Sequence, residues 1–178
     1  MYKIAPALLS IGLIFALSGA KASAQCSGIG TCNTTNTTTL NIGALVKLDM
    51  SATTTSLTSP TANQVDVGAT ISDAGPTFTV KANRSWSLNI RSGNATNWTY
   101  AGSFAGVKSI ADLTWSNAVA GSYVAITASD VLMTSGAAAS GGTAAQAFFK
   151  TVIPAGFTNA ANQPGSYSMP IIFTLTAP

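Results

Sequence analysis

From Leu40 onward the chain alternates: Leu40, Ile42, Ala44, Val46, Leu48 and Met50 fall at every second position, with Asn41, Gly43, Lys47 and Asp49 between them. A period of two gives a strand one apolar face. Leu45 is the large apolar residue out of phase. The Ser/Thr-rich residues 51–61, with Pro60 near their end, interrupt the pattern and read as a connection. Val65, Val67 and Ala69 restart the period of two. Phe78, Val80 and Ala82 alternate, and after the turn-favouring Asn83-Arg84 pair Trp86, Leu88 and Ile90 alternate again. That arrangement predicts a hairpin of two antiparallel strands joined by a tight connection. Trp98 and Tyr100 open another short strand before the Gly102 to Gly106 loop, and residues 107–115 (VKSIADLTW) fit one helical turn or a strand equally well.

Beyond Gly121, Tyr123 to Thr127 and Val131 to Met133 have strand composition, and residues 148–153 form a further strand candidate. Residues 136–145 (GAAASGGTAA) carry too much glycine for a helix and read as a loop. After Pro164-Gly165, Tyr167, Met169, Ile171, Phe173 and Leu175 lie on one face of a last strand, in which Pro170 argues for an edge or a bulge because proline donates no ladder hydrogen bond. About seven short strands separated by Gly, Asn, Ser and Pro, with no convincing amphipathic helix after residue 24, predict an all-β chain. The expected architecture is a single antiparallel β-sandwich, with a small closed barrel as the alternative. Membrane-barrel strands would need about 9 to 11 residues and paired aromatic girdles, a pattern not found here.

The opening of the 178-residue chain stands apart from this pattern. Met1-Tyr2-Lys3 is a short positive start, residues 4–17 are almost wholly apolar, and Ala22-Ser23-Ala24 places small residues at a signal peptidase site. Residues 1–24 are therefore expected to be a cleaved signal peptide. The apolar run is shorter than the roughly 20 residues of a membrane span, so no span is expected in the mature chain. Gln25, just before Cys26, does not suit a lipoprotein peptidase, so the mature chain is expected to begin freely at Gln25. Residues 25–39 read as a disulfide loop and polar linker, and residues 40–178 as the folded domain. The expected localisation is secreted, in the periplasm, at the cell surface or extracellular.

Charge narrows the function. Charged residues make up 7% of the sequence; there is no His, and all five acids are isolated Asp residues. General acid-base and metal-assisted chemistry draw on His, paired carboxylates or a positioned Lys. A noncatalytic protein with no cofactor and no metal is therefore expected. The six basic residues after residue 24 (Lys47, Lys81, Arg84, Arg91, Lys108, Lys150) are dispersed, which argues against a nucleic-acid partner. Cys26 and Cys32, in CSGIGTC, are expected to form a local disulfide in an oxidising compartment; the spacing is not C-x-x-C, and a metal shell lacks further ligands. Among the aromatics, Trp86 shares the face of Leu88 and Ile90 and reads as core. Trp98 and Tyr100 are the candidate glycan contacts, because their aromatic faces combine apolar area with a polar edge.

The C-terminal sequence PGSYSMPIIFTLTAP (residues 164–178) resembles the final strand of chaperone-usher pilins and of the related spore coat protein U group of secreted bacterial proteins, in which a Gly-x-Tyr is followed by alternating hydrophobics. Here the pattern runs Gly165, Tyr167, Met169, Ile171, Phe173, Leu175, and the chain ends in Thr176-Ala177-Pro178 where the family carries an aromatic residue. The resemblance implies an immunoglobulin-like sandwich with an exposed edge, completed when an extended segment of one subunit adds a strand to the next. The strand-exchange candidates are Leu40, Ile42, Ala44, Val46, Leu48 and Met50, whose plainer reading is the first strand of the same domain. The function expected is a secreted surface or extracellular structural protein, a pilus- or coat-like subunit whose partners are copies of itself or related subunits. The alternative is a carbohydrate-binding or adhesive module using exposed aromatics.

Overall fold

The computed structural model describes residues 30–32, 36–139 and 141–178. The expected signal peptide (1–24), the Gln25 start and Cys26 of the expected Cys26–Cys32 pair lie outside the described residues. Met1–Asn41 group apart from Ile42–Pro178, and the described part of the first group contains no helix or strand.

The second group is built of antiparallel strands. Its larger sheet has five strands in the order β1 (Val46–Met50), β2 (Ala69–Ala82), β8 (Thr143–Ile153), β5 (Leu113–Ser116), β6 (Val124–Ala125). The second sheet has three, β10 (Ile171–Thr176), β3 (Trp86–Ser92) and β7 (Val131–Gly136), and β4 (Thr99–Ala101) pairs with β9 (Ser166–Ser168) in a small ribbon. The two larger sheets share one core. Phe78 and Val80 of β2, Leu113 and Trp115 of β5 and Phe149 of β8 meet Trp86, Leu88 and Ile90 of β3 and Met133 of β7. Across the same gap the rings of Phe78 and Phe173 lie 4.5 Å apart. The chain is thus an all-β antiparallel sandwich, and among its described residues no helix is long and apolar enough to cross a membrane.

Burial follows the period of two. Along β3 every second residue is buried, Leu88 and Ile90 completely, while the residues between face outward. Each such side chain contributes roughly 1.5–3 kcal/mol through the apolar area removed from water. The alternation in β2 and β3 is as expected from the sequence, but the expected hairpin is not formed. β2 pairs with β1 and β8, whereas β3 pairs with β10 and β7. Residues 83–85 carry the chain from one sheet across the core to the other, so Phe78, Val80 and Ala82 point into the same interior as Trp86, Leu88 and Ile90 from the opposite side. Asn83 holds this corner: its side chain accepts from the Leu45 N–H at 2.9 Å and donates to the Gly43 carbonyl at 2.9 Å.

Three further segments depart from the sequence pattern. Residues Ala62–Val67 form a short helix, α1, where Val65 and Val67 were expected to restart a strand. The cause is a capping box: the Thr61 hydroxyl accepts from the Gln64 N–H, while the Gln64 side chain accepts from the Thr61 N–H at 2.8 Å. Residues 107–115 supply both of their alternatives in succession, a 3-10 turn at Ile110–Asp112 and then β5. The glycine-rich tract is shorter than expected as a connection, because Gly136 ends β7 and β8 begins at Thr143, five residues earlier than expected.

Candidate functional site

The sandwich is open along one rim, where the edges of the two sheets, β1 and β10, approach each other. Backbone bonds fix which way each edge presents its polar groups. Ser92 opposes Ile171, but its N–H is turned away from β10 and donates to the Thr127 carbonyl, whereas the next residue, Gly93, donates to Pro170 on the β10 side at 2.7 Å. In an antiparallel ladder bonded and non-bonded pairs alternate. It follows that Ile172, Thr174 and Thr176 bond to β3, and that the N–H and C=O groups of Ile171, Phe173 and Leu175 point off the edge of the sheet. The side chains of these three face the core but are only half-buried, because among the described residues no strand lies beyond them. Pro170 sits immediately before this edge strand.

Between the rim and the core runs a groove of about 960 Å³, at the upper end of the 300–1,000 Å³ typical of ligand pockets. Ile71, Leu113, Phe149 and Ile153 of the larger sheet form one wall and Ile171 and Phe173 of β10 the other. Residues 52–60 form a strap along it. Within the strap Leu57 alone turns inward against the core, and its neighbours are exposed.

One end of the groove is polar. The Lys108 side chain is 4% exposed; its ammonium donates to the Val152 carbonyl at 2.6 Å and lies 3.5 Å from the Asp112 carboxylate. Burial pulls its pKa below the ordinary 10.5, and the Asp112 charge only partly opposes this. Asn162, from the 3-10 turn Ala160–Asn162, donates to the Pro154 and Gly156 carbonyls at 2.7 and 2.9 Å, which leaves its Oδ1 buried without a partner. The Thr151 hydroxyl on β8 is likewise buried and unpartnered. All three side chains line the groove. A buried polar atom with no hydrogen bond costs about 1–3 kcal/mol, so two beside a desolvated amine are a marked concentration of unmet bonding capacity. Nothing in the sequence singled out Thr151 or Asn162. The Lys108 and Asp112 spacing was the one available signal, and it reads equally well as a solvated pair.

The residues singled out from sequence are placed as follows. Val46, Leu48 and Met50 belong to β1, paired with Ala82, Val80 and Phe78 of the same chain, so this part of the candidate exchange segment takes its plainer role. Leu48 is half-buried against the core, while Val46 and Met50 remain exposed at the rim. Upstream, Leu40 is 82% exposed, Ile42 69%, and Ala44 is exposed too.

Trp98 is half-buried against the core and its indole N–H donates to the Ser109 carbonyl at 3.0 Å. Tyr100 donates to the Pro164 carbonyl at 2.7 Å and its ring lies 4.9 Å from that of Tyr167. Gly102, Gly106 and Gly165 close on the Tyr100 ring so tightly that a β-carbon on any of them would come within 2.6 Å of it. Trp86 and Trp115 are core residues, and Lys150 covers the Tyr123 ring at 3.7 Å. No protein-family model matches this chain, and no curated protein matches it.

Proposed function

We propose that the chain is a noncatalytic, secreted surface or extracellular structural subunit that associates with further copies of itself by strand addition. The observation that carries this reading is the β10 edge, whose Ile171, Phe173 and Leu175 present unpaired backbone groups above half-buried side chains beside an apolar groove. An added strand would satisfy the backbone groups and complete the burial, since ladder bonds supply affinity and alternate side chains supply specificity. The donor is the segment just before β1, in which Leu40, Ile42 and Ala44 keep the period of two and lie exposed. Val46–Met50 is less suited to the role, because leaving its own chain would strip β2 of a partner. A glycan-binding module would depend on bare aromatic faces at Trp98 and Tyr100, and the Gly-lined seat of Tyr100 favours strand addition over that alternative.

Size-exclusion chromatography with light scattering tests the reading. The full chain should form oligomers at micromolar concentration, and Ile42→Asp should dissolve them, because a carboxylate pressed between the groove's apolar walls loses its hydration. A wild-type chain that stays monomeric, or oligomers indifferent to Ile42→Asp, would overturn it.

A further inference from the structure

Resting on that reading, we infer that Lys108, Thr151 and Asn162 form a stop at the polar end of the groove that binds a main-chain amide of the inserted strand from a second copy and so sets its register. The three groups gather around the last residues of β8. Lys108 is fixed on the carbonyl of Val152 and Asn162 on that of Pro154, positions about 7 Å apart along an extended chain. Thr151 precedes Val152 directly and turns inward. The adjoining backbone is tied in as well, for the Val107 N–H donates to the Ala160 carbonyl at 3.0 Å, which brings the segments bearing Lys108 and Asn162 side by side.

The chemistry on offer selects the ligand group. Asn162 Oδ1 can only accept, and its orientation is fixed because Nδ2 already donates to two carbonyls. Lys108 can only donate, and its Val152 and Asp112 contacts leave one of three N–H bonds unused. The Thr151 hydroxyl can do either. A carboxylate would satisfy Lys108 but meet the Asn162 oxygen with like polarity, and an alkyl group would satisfy none of the three. An amide presents one donor and one acceptor on adjacent atoms: its N–H suits Asn162 Oδ1, and its carbonyl suits Lys108 and Thr151. A strand running along the apolar walls ends in such groups. Register needs this kind of fixed point, because a one-residue slip along apolar walls reverses every side chain while leaving the ladder bonds in place.

The test is binding of a fluorescently labelled synthetic peptide of residues 38–50 to the full chain carrying Ile42→Asp, which suppresses self-association. That chain should bind the peptide. Thr151→Val should weaken binding about fivefold and Lys108→Met at least about tenfold, as expected for one neutral and one charged hydrogen bond. Thr151→Val is the decisive variant. As a purely structural residue, an unpartnered buried hydroxyl would be replaced by a methyl group with a gain in melting temperature and no change in peptide affinity. Peptide binding left unchanged by Thr151→Val overturns the stop while leaving strand addition standing. A chain that binds no peptide at all removes strand addition itself, and the stop with it.

Discussion

β3 and β10 lie side by side in the same sheet, and both carry apolar residues at every second position, yet they end in different states. β3 has a strand on each side and a second sheet above it, and its inward side chains are fully buried. Among the described residues β10 has a neighbour on one side only, and its inward Ile171, Phe173 and Leu175 stay half-exposed. Cross-strand partners make the contrast direct: Leu88 and Leu175 oppose each other in the ladder, one with no exposure and the other at the rim. Alternation therefore marks which face of a strand turns inward, not whether the strand has neighbours to complete its burial. The unfilled place beside β10 is the feature on which the functional proposal rests.

The largest contrast should appear in amide hydrogen exchange. In the Ile42→Asp chain, which does not self-associate, the N–H groups of Ile171, Phe173 and Leu175 point off the sheet and should exchange almost as in an unfolded chain. Those of Ile172, Thr174 and Thr176 should be slowed by orders of magnitude, as for amides that exchange only when structure opens. Uniform protection along β10 would mean that its outer edge is already occupied. Truncation of the facing leucines gives the next largest effect. Leu88→Ala should cost about 2–5 kcal/mol in urea denaturation, as for a buried leucine, whereas Leu175→Ala should cost less than about 1.5 kcal/mol because part of its surface already meets water. Equal losses would erase the distinction between centre and rim.

The smallest effect concerns the groove's polar end. Burial lowers the Lys108 pKa below 10.5, with Asp112 as its charged partner, so the folded chain releases this proton before the unfolded chain does. Unfolding free energy should then rise with pH through the window that ends at 10.5, because there the unfolded state holds more protons. Tyr167, whose pKa burial raises above 10.0, acts oppositely above that value. Urea titrations carried up to about pH 10, below the range where Tyr167 acts, isolate the lysine, and Lys108→Met should abolish the rise. A slope unchanged by that substitution would assign it to other groups.

Much of the strand content was legible because a period of two reports on one face of one segment. Phe78, Val80, Trp86, Leu88 and Ile90 were all identified as inward-facing from spacing alone, and all are buried. Their partners were not legible. The same spacing that predicted a hairpin at Asn83-Arg84 is equally satisfied by an arch between two sheets, since both place the two apolar faces toward one interior. α1 was missed for a different reason. Val65 and Val67 carry strand spacing, but the Thr61 and Gln64 capping box satisfies the first backbone N–H groups of a helix. The groove's polar end left even less trace, because Thr151, Asn162 and Lys108 are far apart in sequence and ordinary in type.

The sequence by itself determined that this chain forms antiparallel β-structure and which side chains turn inward along its central strands. These are local properties, set by side-chain periodicity, backbone preference and residue type over a few positions. The tertiary structure alone decided that β2 and β3 lie in opposite sheets, that β10 has an open edge, and that a lysine, a threonine and an asparagine meet at the end of an apolar groove. Each of those depends on which strands become neighbours. That choice is governed by packing summed over the whole core, and the sequence around any one strand does not contain it.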